Sequence, residues 1–267
     1  MRVIVAPDPD GLADLAADVV RARVRARPDL VMAVPAGRTP RRMYARLAER
    51  QAVDPVDLSR LRLFCVDELC PPAPPDGYFW RQIRKELLSW ARVPLAQCHP
   101  FAVDAGDLAA MCAAYEARIA AVGGLDLVML GLGPNGHIAS NEPPADPASR
   151  TRPVRLLPGT VEYILTDDVI QGEVCDRAVT LGVATILAAR EVVVLVSGPA
   201  KRDILERTLR GPVTADVPAS LLRAHPACTI LADREACRDD QALGSDAAAL
   251  PAGGSAPGPG ERGPDAG

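Results

Sequence analysis

A histidine set in a glycine-rich turn is the residue of this chain best placed to move protons. It lies in Gly131-Leu132-Gly133-Pro134-Asn135-Gly136-His137-Ile138-Ala139-Ser140-Asn141-Glu142-Pro143, where three glycines in six residues leave room for a ligand beside the backbone. Glu142 is near enough in sequence to reach round the loop, hold one ring nitrogen of His137 and fix its tautomer. That is the wiring of a proton-transfer catalyst, although the same residues would also make an ordinary polar loop. Two carboxylates, Asp67 and Glu68, form a second candidate group; they bind a ligand or cap the turn that follows them. Gly37-Arg38-Thr39-Pro40 offers backbone N–H groups, a hydroxyl and the positive end of a helix, which together suit a phosphate. The competing reading is a plain turn with Thr39 as N-cap and Pro40 at the first helical position. Lys201, in Ser197-Gly198-Pro199-Ala200-Lys201, is either a point charge for the same anion or a helix-surface lysine.

The elements needed to hold these groups are legible as apolar runs of strand length. Val3–Ala6, Leu30–Val34, Leu61–Val66, Leu125–Leu130, Ala178–Leu181, Glu191–Val196 and Cys228–Ala232 read as strands, several of them apolar throughout, as strands covered on both faces are. Asp8-Pro9-Asp10 opens a helix with Leu12, Leu15, Ala16, Val19 and Val20 at helical spacing. Further helices are expected around Met43, Tyr44 and Leu47, from Tyr78, and from Leu108 to Val122. Strands alternating with helices predict an α/β chain, a Rossmann-like doubly wound and mostly parallel sheet with helices on both faces. Such sheets bind ligands beyond the carboxyl ends of their strands, where His137, Asp67, the Gly37 turn and Lys201 all fall.

Composition narrows the function class. A chain of 267 residues with 48% hydrophobic content can bury a sizeable core in one domain, expected over 1–238. A net charge of -4 without basic clusters argues against a nucleic-acid partner. The first residues run directly into a strand, with no signal-like segment and no long apolar span, so no membrane partner and a cytoplasmic location are expected. Seven cysteines without metal-like spacing suit reduced thiols, and neither a metal nor a cofactor is called for. Residues 239–267, rich in Gly, Pro and Ala, are expected to form a disordered tail.

Read together, the segments Gly131–Pro143, Pro35–Pro40, Phe64–Leu69, Ser149–Arg152, Ala178–Leu187 and Gly198–Lys201 resemble the glucosamine-6-phosphate deaminase/isomerase family, related to the 6-phosphogluconolactonases. The similarity runs from about Val3 to Asp233, with the motifs in the family's order. It implies that glucosamine 6-phosphate, or a related amino sugar phosphate, and water become a ketose phosphate and ammonia, with no cofactor. By the same resemblance His137 opens the sugar ring, Glu142 and Asn135 support it, and Asp67 moves a proton between C2 and C1. Gly37, Arg38, Thr39, Glu68, Gly136 and Lys201 would hold the substrate and its phosphate. A homo-oligomer is compatible with the family.

The departures define alternatives. Asn135 stands where many members have Asp, Ser140 where most have Phe, Ala36 for Thr, Leu69 for Tyr, and Val154 where an effector-binding Lys is expected. No arginine lies between Arg155 and Arg177, although the family's phosphate-binding Arg falls near Thr166; Arg38 is the expected replacement. Ala139-Ser140 after the histidine is lactonase-like, whereas Asn141-Glu142-Pro143 is the deaminase ending. A sugar-lactone hydrolase and a non-catalytic sugar-phosphate-binding regulator are therefore the two competing readings.

Overall fold

The computed structural model describes residues 1–71, 74, 76–167, 170 and 173–238. Seven strands form the central sheet: β1 (Arg2–Ala6), β2 (Val31–Val34), β3 (Arg62–Cys65), β5 (Cys98–His99), β6 (Leu127–Gly131), β9 (Glu191–Val196) and β10 (Cys228–Asp233). The remaining three, β4 (Asp67–Leu69), β7 (Arg152–Arg155) and β8 (Arg177–Thr180), make a separate small sheet. The large sheet runs β1-β10-β9-β6-β2-β3-β5 with every pairing parallel. Every residue of β2 is buried, as are Leu127–Leu130 of β6, so the sheet is covered on both faces. Full burial of each such Leu or Val stabilises the fold by roughly 1.5–3 kcal/mol before chain entropy is counted.

From β2 the chain winds outward through β3 and β5; it returns to β6 and winds the other way through β9 and β10. The direction reverses between β2 and β6. A crevice opens at such a reversal because the connections leave the strand ends in opposite directions. The Gly37 turn follows β2, and the His137 loop follows β6.

Local chemistry sets the flanking helices. Asp8 caps the Pro9–Ala26 helix, accepting the Gly11 N–H at 2.7 Å, and Leu12, Ala16, Val19 and Val20 are buried beneath it. The Arg38–Val53 helix starts two residues earlier than a Thr39 cap would allow: its N-cap is Gly37, at a φ of 113° that only glycine adopts without strain.

Two features depart from the expected single sheet. The Ala178–Leu181 run supplies the central strand of the small antiparallel sheet β4-β8-β7, and Asp67–Leu69 is an edge strand paired to it rather than merely the end of β3. β5 has two residues and β7 contains Pro153, so neither carries an apolar run long enough to read. The expected tail, 239–267, and part of the proline-rich Pro71–Pro75 loop lie outside the described residues. All seven cysteines are free thiols. Among the described residues no helix is long and apolar enough to cross a membrane.

Candidate active site

The crevice at the β2/β6 reversal is a cleft of about 1010 Å³ counted out to its open mouth. Gly37, Arg38, Thr39, Asp67, His137, Ser140 and Lys201 all line it. Residues spaced along 165 positions of sequence meet there because β3, β2, β6 and β9 are neighbours in the sheet and deliver their following loops to one edge.

His137 is placed by its glycines. Its ring lies over Gly133, where a Cβ would come within 2.3 Å of Cδ2, Cε1 and Nε2. Gly136, at φ 91°, turns the chain beneath it; its N–H donates to the Gly133 carbonyl at 3.0 Å and its carbonyl accepts from Ala219 at 2.9 Å. Asn135 Oδ1 accepts the backbone N–H of His137 at 3.1 Å while its Nδ2 donates to Glu142 Oε2 at 2.7 Å. Nδ1 of the ring is 3.6 Å from that same carboxylate oxygen and makes no hydrogen bond among the described residues. Catalytic contacts of this kind commonly close only when substrate is bound. Burial pushes the Glu142 carboxyl up, but His137, Thr160 and Asn135 around it prevail and leave its pKa below the ordinary value, so Glu142 stays ionised beside the imidazole. Asn135, Gly136 and Glu142 are not among the residues that line the cleft; they support His137 from behind, so Gly136, expected to hold substrate, stands behind the cleft wall.

Across the cleft, Ser140 Oγ donates to Asp67 Oδ2 at 2.7 Å. Burial pushes the Asp67 carboxyl up to about 6, against the opposing effects of the Ser140 hydroxyl and of His137. Glu68 points the other way, and its expected place in substrate binding is not what the fold uses it for. Its carboxylate accepts four backbone N–H groups, from Leu69 (2.9 Å), Tyr78 (3.0 Å), Phe79 (3.0 Å) and Trp80 (2.8 Å), and so caps the start of the Phe79–Ile83 helix. Burial pushes Glu68 up to about 7, with the Asp67 charge adding to it, although the Phe79, Trp80 and Leu69 N–H groups pull it down. Gly77, at φ 71°, leaves the space that this carboxylate fills.

At the mouth of the cleft two cations converge on one ring. The Arg38 guanidinium and the Lys201 ammonium each lie 4.9 Å from the centre of the Tyr163 ring. Arg38 also donates to the Tyr163 carbonyl at 3.2 Å and to the Thr166 hydroxyl. The guanidinium thus sits at Thr166, the position near which an arginine is missing from the sequence. Burial and the neighbouring Arg38 push the Lys201 pKa down to about 8. Lys201 has no carboxylate within ion-pair distance among the described residues. Arg38 Nε is 3.8 Å from Asp167 Oδ2, a carboxylate shared with Arg41, so the corner keeps an excess of positive charge that, next to the N-terminus of the Arg38–Val53 helix, favours an anion.

Sequence reading missed several cleft residues. Tyr163, Thr160, Asp167 and Gln82 carry no motif of their own; Gln82 bonds both the N–H and the carbonyl of Gly37 at 3.3 Å, and Asp167 pairs with Arg41 at 2.8 Å. Ser140 did carry a signal, as a departure from the family pattern. Among the described residues no group of three or more His, Cys, Asp and Glu side chains is gathered to hold a metal ion.

A doubly wound α/β sheet whose switch-point cleft sets a histidine and a carboxyl against a paired-cation corner is a protein built for a small anionic substrate. A sequence profile described as glucosamine-6-phosphate isomerases/6-phosphogluconolactonase matches residues 9–231, and the chain belongs to that family. It is 35% identical over 243 residues to a glucosamine-6-phosphate deaminase of Halothermothrix orenii, covering 88% of this chain and 98% of that protein. It is 32% identical over 245 residues to glucosamine-6-phosphate deaminase 2 of Bacillus subtilis, covering 89% and 97%. Among solved structures, a monomeric glucosamine-6-phosphate deaminase superposes with a TM-score of 0.84 at 28% identity, covering 88% of this chain and 98% of that one. A 6-phosphogluconolactonase from Trypanosoma cruzi shares the fold at a TM-score of 0.71 and 24% identity, covering 88% and 95%.

Proposed function

We propose that this protein is an amino sugar phosphate deaminase that converts glucosamine 6-phosphate and water into fructose 6-phosphate and ammonia, acting in the cytoplasm. The observation that carries the reading is the meeting, in one cleft, of His137 and Asp67 with the paired cations Arg38 and Lys201. The named deaminases at 32–35% identity over nearly their whole length support it. In this reading the phosphate sits between Lys201, Arg38 and the free N–H groups at the start of the Arg38–Val53 helix. His137 moves the proton between the ring oxygen and the C1 hydroxyl as the pyranose opens. Asp67 then takes the proton from C2 and returns it to C1, so the C2–N bond acquires imine character; water adds at C2 and ammonia leaves. Glu142 and Asn135 hold the imidazole in place.

The direct test follows ammonia and fructose 6-phosphate together in one incubation, with His137→Ala as control. Equal release of both products, lost in the control, is the expected outcome. Hydrolysis of 6-phosphogluconolactone without ammonia release would replace this reading by the lactonase one, and calorimetric binding without turnover by the regulator.

Two further results follow from the charges. Arg38→Ala should raise KM for the phosphosugar about tenfold to a hundredfold with kcat nearly unchanged, the effect of losing one charge-assisted contact common to ground and transition states. An unchanged KM would remove Arg38 from the phosphate site. Second, kcat/KM should be bell-shaped. Asp67 is a base only when ionised, so activity falls as pH drops through about 6; Lys201 holds phosphate only when protonated, so it falls again as pH rises through about 8. Bound phosphate favours the ammonium, so the alkaline limb should move upward in kcat, and Lys201→Arg should remove it from kcat/KM. A flat profile between pH 5 and 9 would contradict both assignments.

A further inference from the structure

The contact between Ser140 and Asp67 has no counterpart in the roles assigned so far. We infer that Ser140 is a positioning residue for the proton-transfer step: it immobilises Oδ2 of Asp67, so that Oδ1 alone is presented to the substrate carbons. This rests on the deaminase reading given above for what the carboxylate does, though not for the contact itself.

Three observations converge. Ser140 is 5% exposed, and its hydroxyl is 2.7 Å from Asp67 Oδ2 at the cleft wall. Its backbone is fixed as well: the Ser140 N–H donates to Thr180 Oγ1 at 3.1 Å, and Thr180 is the residue directly opposite Asp67 in the antiparallel β4-β8 pairing. One residue of the small sheet thus registers both partners. The turn that presents Ser140 is held in an uncommon conformation, with Ala139 at φ 48° in the left-handed region, so the rest of the loop must stabilise it. Meanwhile Asp67 Oδ1 makes no hydrogen bond among the described residues.

Chemically this division is useful. The proton leaves one carbon and returns to its neighbour, one bond away, and a carboxylate that does not rotate can serve both positions with the same oxygen. The titratable group facing Asp67 is His137 from the loop after β6; Glu68 and Cys65, on its own segment, couple to it only through their charge. A hydroxyl donor to Oδ2 favours the ionised base among them.

The first experiment is a carboxyl 13C NMR titration of the ligand-free protein, with Asp67→Asn identifying the Asp67 signal. In Ser140→Ala the Asp67 midpoint should move upward by about one pH unit, and Ser140→Thr, which keeps a hydroxyl, should restore it. An unmoved midpoint would overturn the inference. If Ser140→Ala does not fold, Ser140→Cys, a far weaker donor of similar size, carries the same expectation. The second readout is kinetic: Ser140→Ala should lower kcat about tenfold at pH 6 and less at pH 8, with KM unchanged. A uniform loss at all pH values with a lowered Tm would mark a merely structural serine. The two ideas fail separately. Wild-type protein that releases no ammonia sinks the deaminase reading while the titration still decides the Ser140 contact; ammonia release with an unmoved midpoint leaves the function standing and removes Ser140 from it.

Discussion

Asp67→Asn should yield a protein that binds the phosphosugar and releases almost no ammonia. The substitution keeps the volume, and the new carboxamide oxygen still accepts the Ser140 hydroxyl. What it removes is, among the described residues, the carboxyl that lines the cleft, interacts with His137 and retains an oxygen free to take a proton. General-base catalysis contributes typically 10² to 10⁴ in rate, so kcat should fall by about that factor. KM should hardly change, because Lys201, Arg38 and the Gly37 turn, which hold the phosphate in this reading, are untouched by the substitution. Stability should move in the opposite sense. A carboxyl whose folded pKa is raised to about 6 ionises less readily folded than unfolded, so the native state loses stability as pH rises from 3.8 through about 6. A neutral Asn escapes that loss, and Tm at pH 8 should be equal to or higher than wild type. Steady-state kinetics with thermal melts checks both, and more than a tenth of wild-type kcat would exclude Asp67 as the base.

Gly133→Ala should be nearly as damaging although it touches no reacting atom. The added Cβ would stand 2.3 Å from three atoms of the His137 ring, closer than any real contact, so the imidazole must swing away. Nδ1 already sits 3.6 Å from Glu142 without a closed hydrogen bond, so little resists the movement. A misplacement of about 1 Å can cost about 10² in rate, and kcat is expected to fall by at least that, with KM for the phosphosugar retained. The backbone at Gly133 is not in the left-handed region, so an alanine fits the chain and the protein should fold. Retained kcat would mean that the ring has another productive position and that His137 does less than its place in the cleft implies.

The Arg38/Lys201 corner shows how tertiary structure redistributes charge along a chain. The family resemblance implies a phosphate-binding arginine near Thr166, and the chain has none there. In the fold Arg38, more than a hundred residues earlier, reaches the Thr166 hydroxyl and lies against Tyr163 beside Lys201. The charge is supplied from another strand's loop, something spacing along the chain cannot express. Glu68 shows the converse. Adjacent to Asp67 in sequence, it is separated from it in space because successive residues of an extended segment point to opposite sides, and its carboxylate serves the next helix.

By itself the sequence determined the parallel core, from β-branched and apolar runs buried on both faces, and the loops that must end at one sheet edge, from the position of Gly37, Asp67, His137 and Lys201 after those runs. These are local properties: burial demands apolar residues, tight turns demand glycine, and both leave marks within a few positions. The tertiary structure alone decided that Ala178–Leu181 joins a second, antiparallel sheet, that Ser140 grips Asp67 across 73 positions, and that Arg38 stands at Thr166. Each depends on the order in which strands lie side by side. That order is set by packing the whole sheet between its helices, where no single segment carries enough energy to leave its own signature.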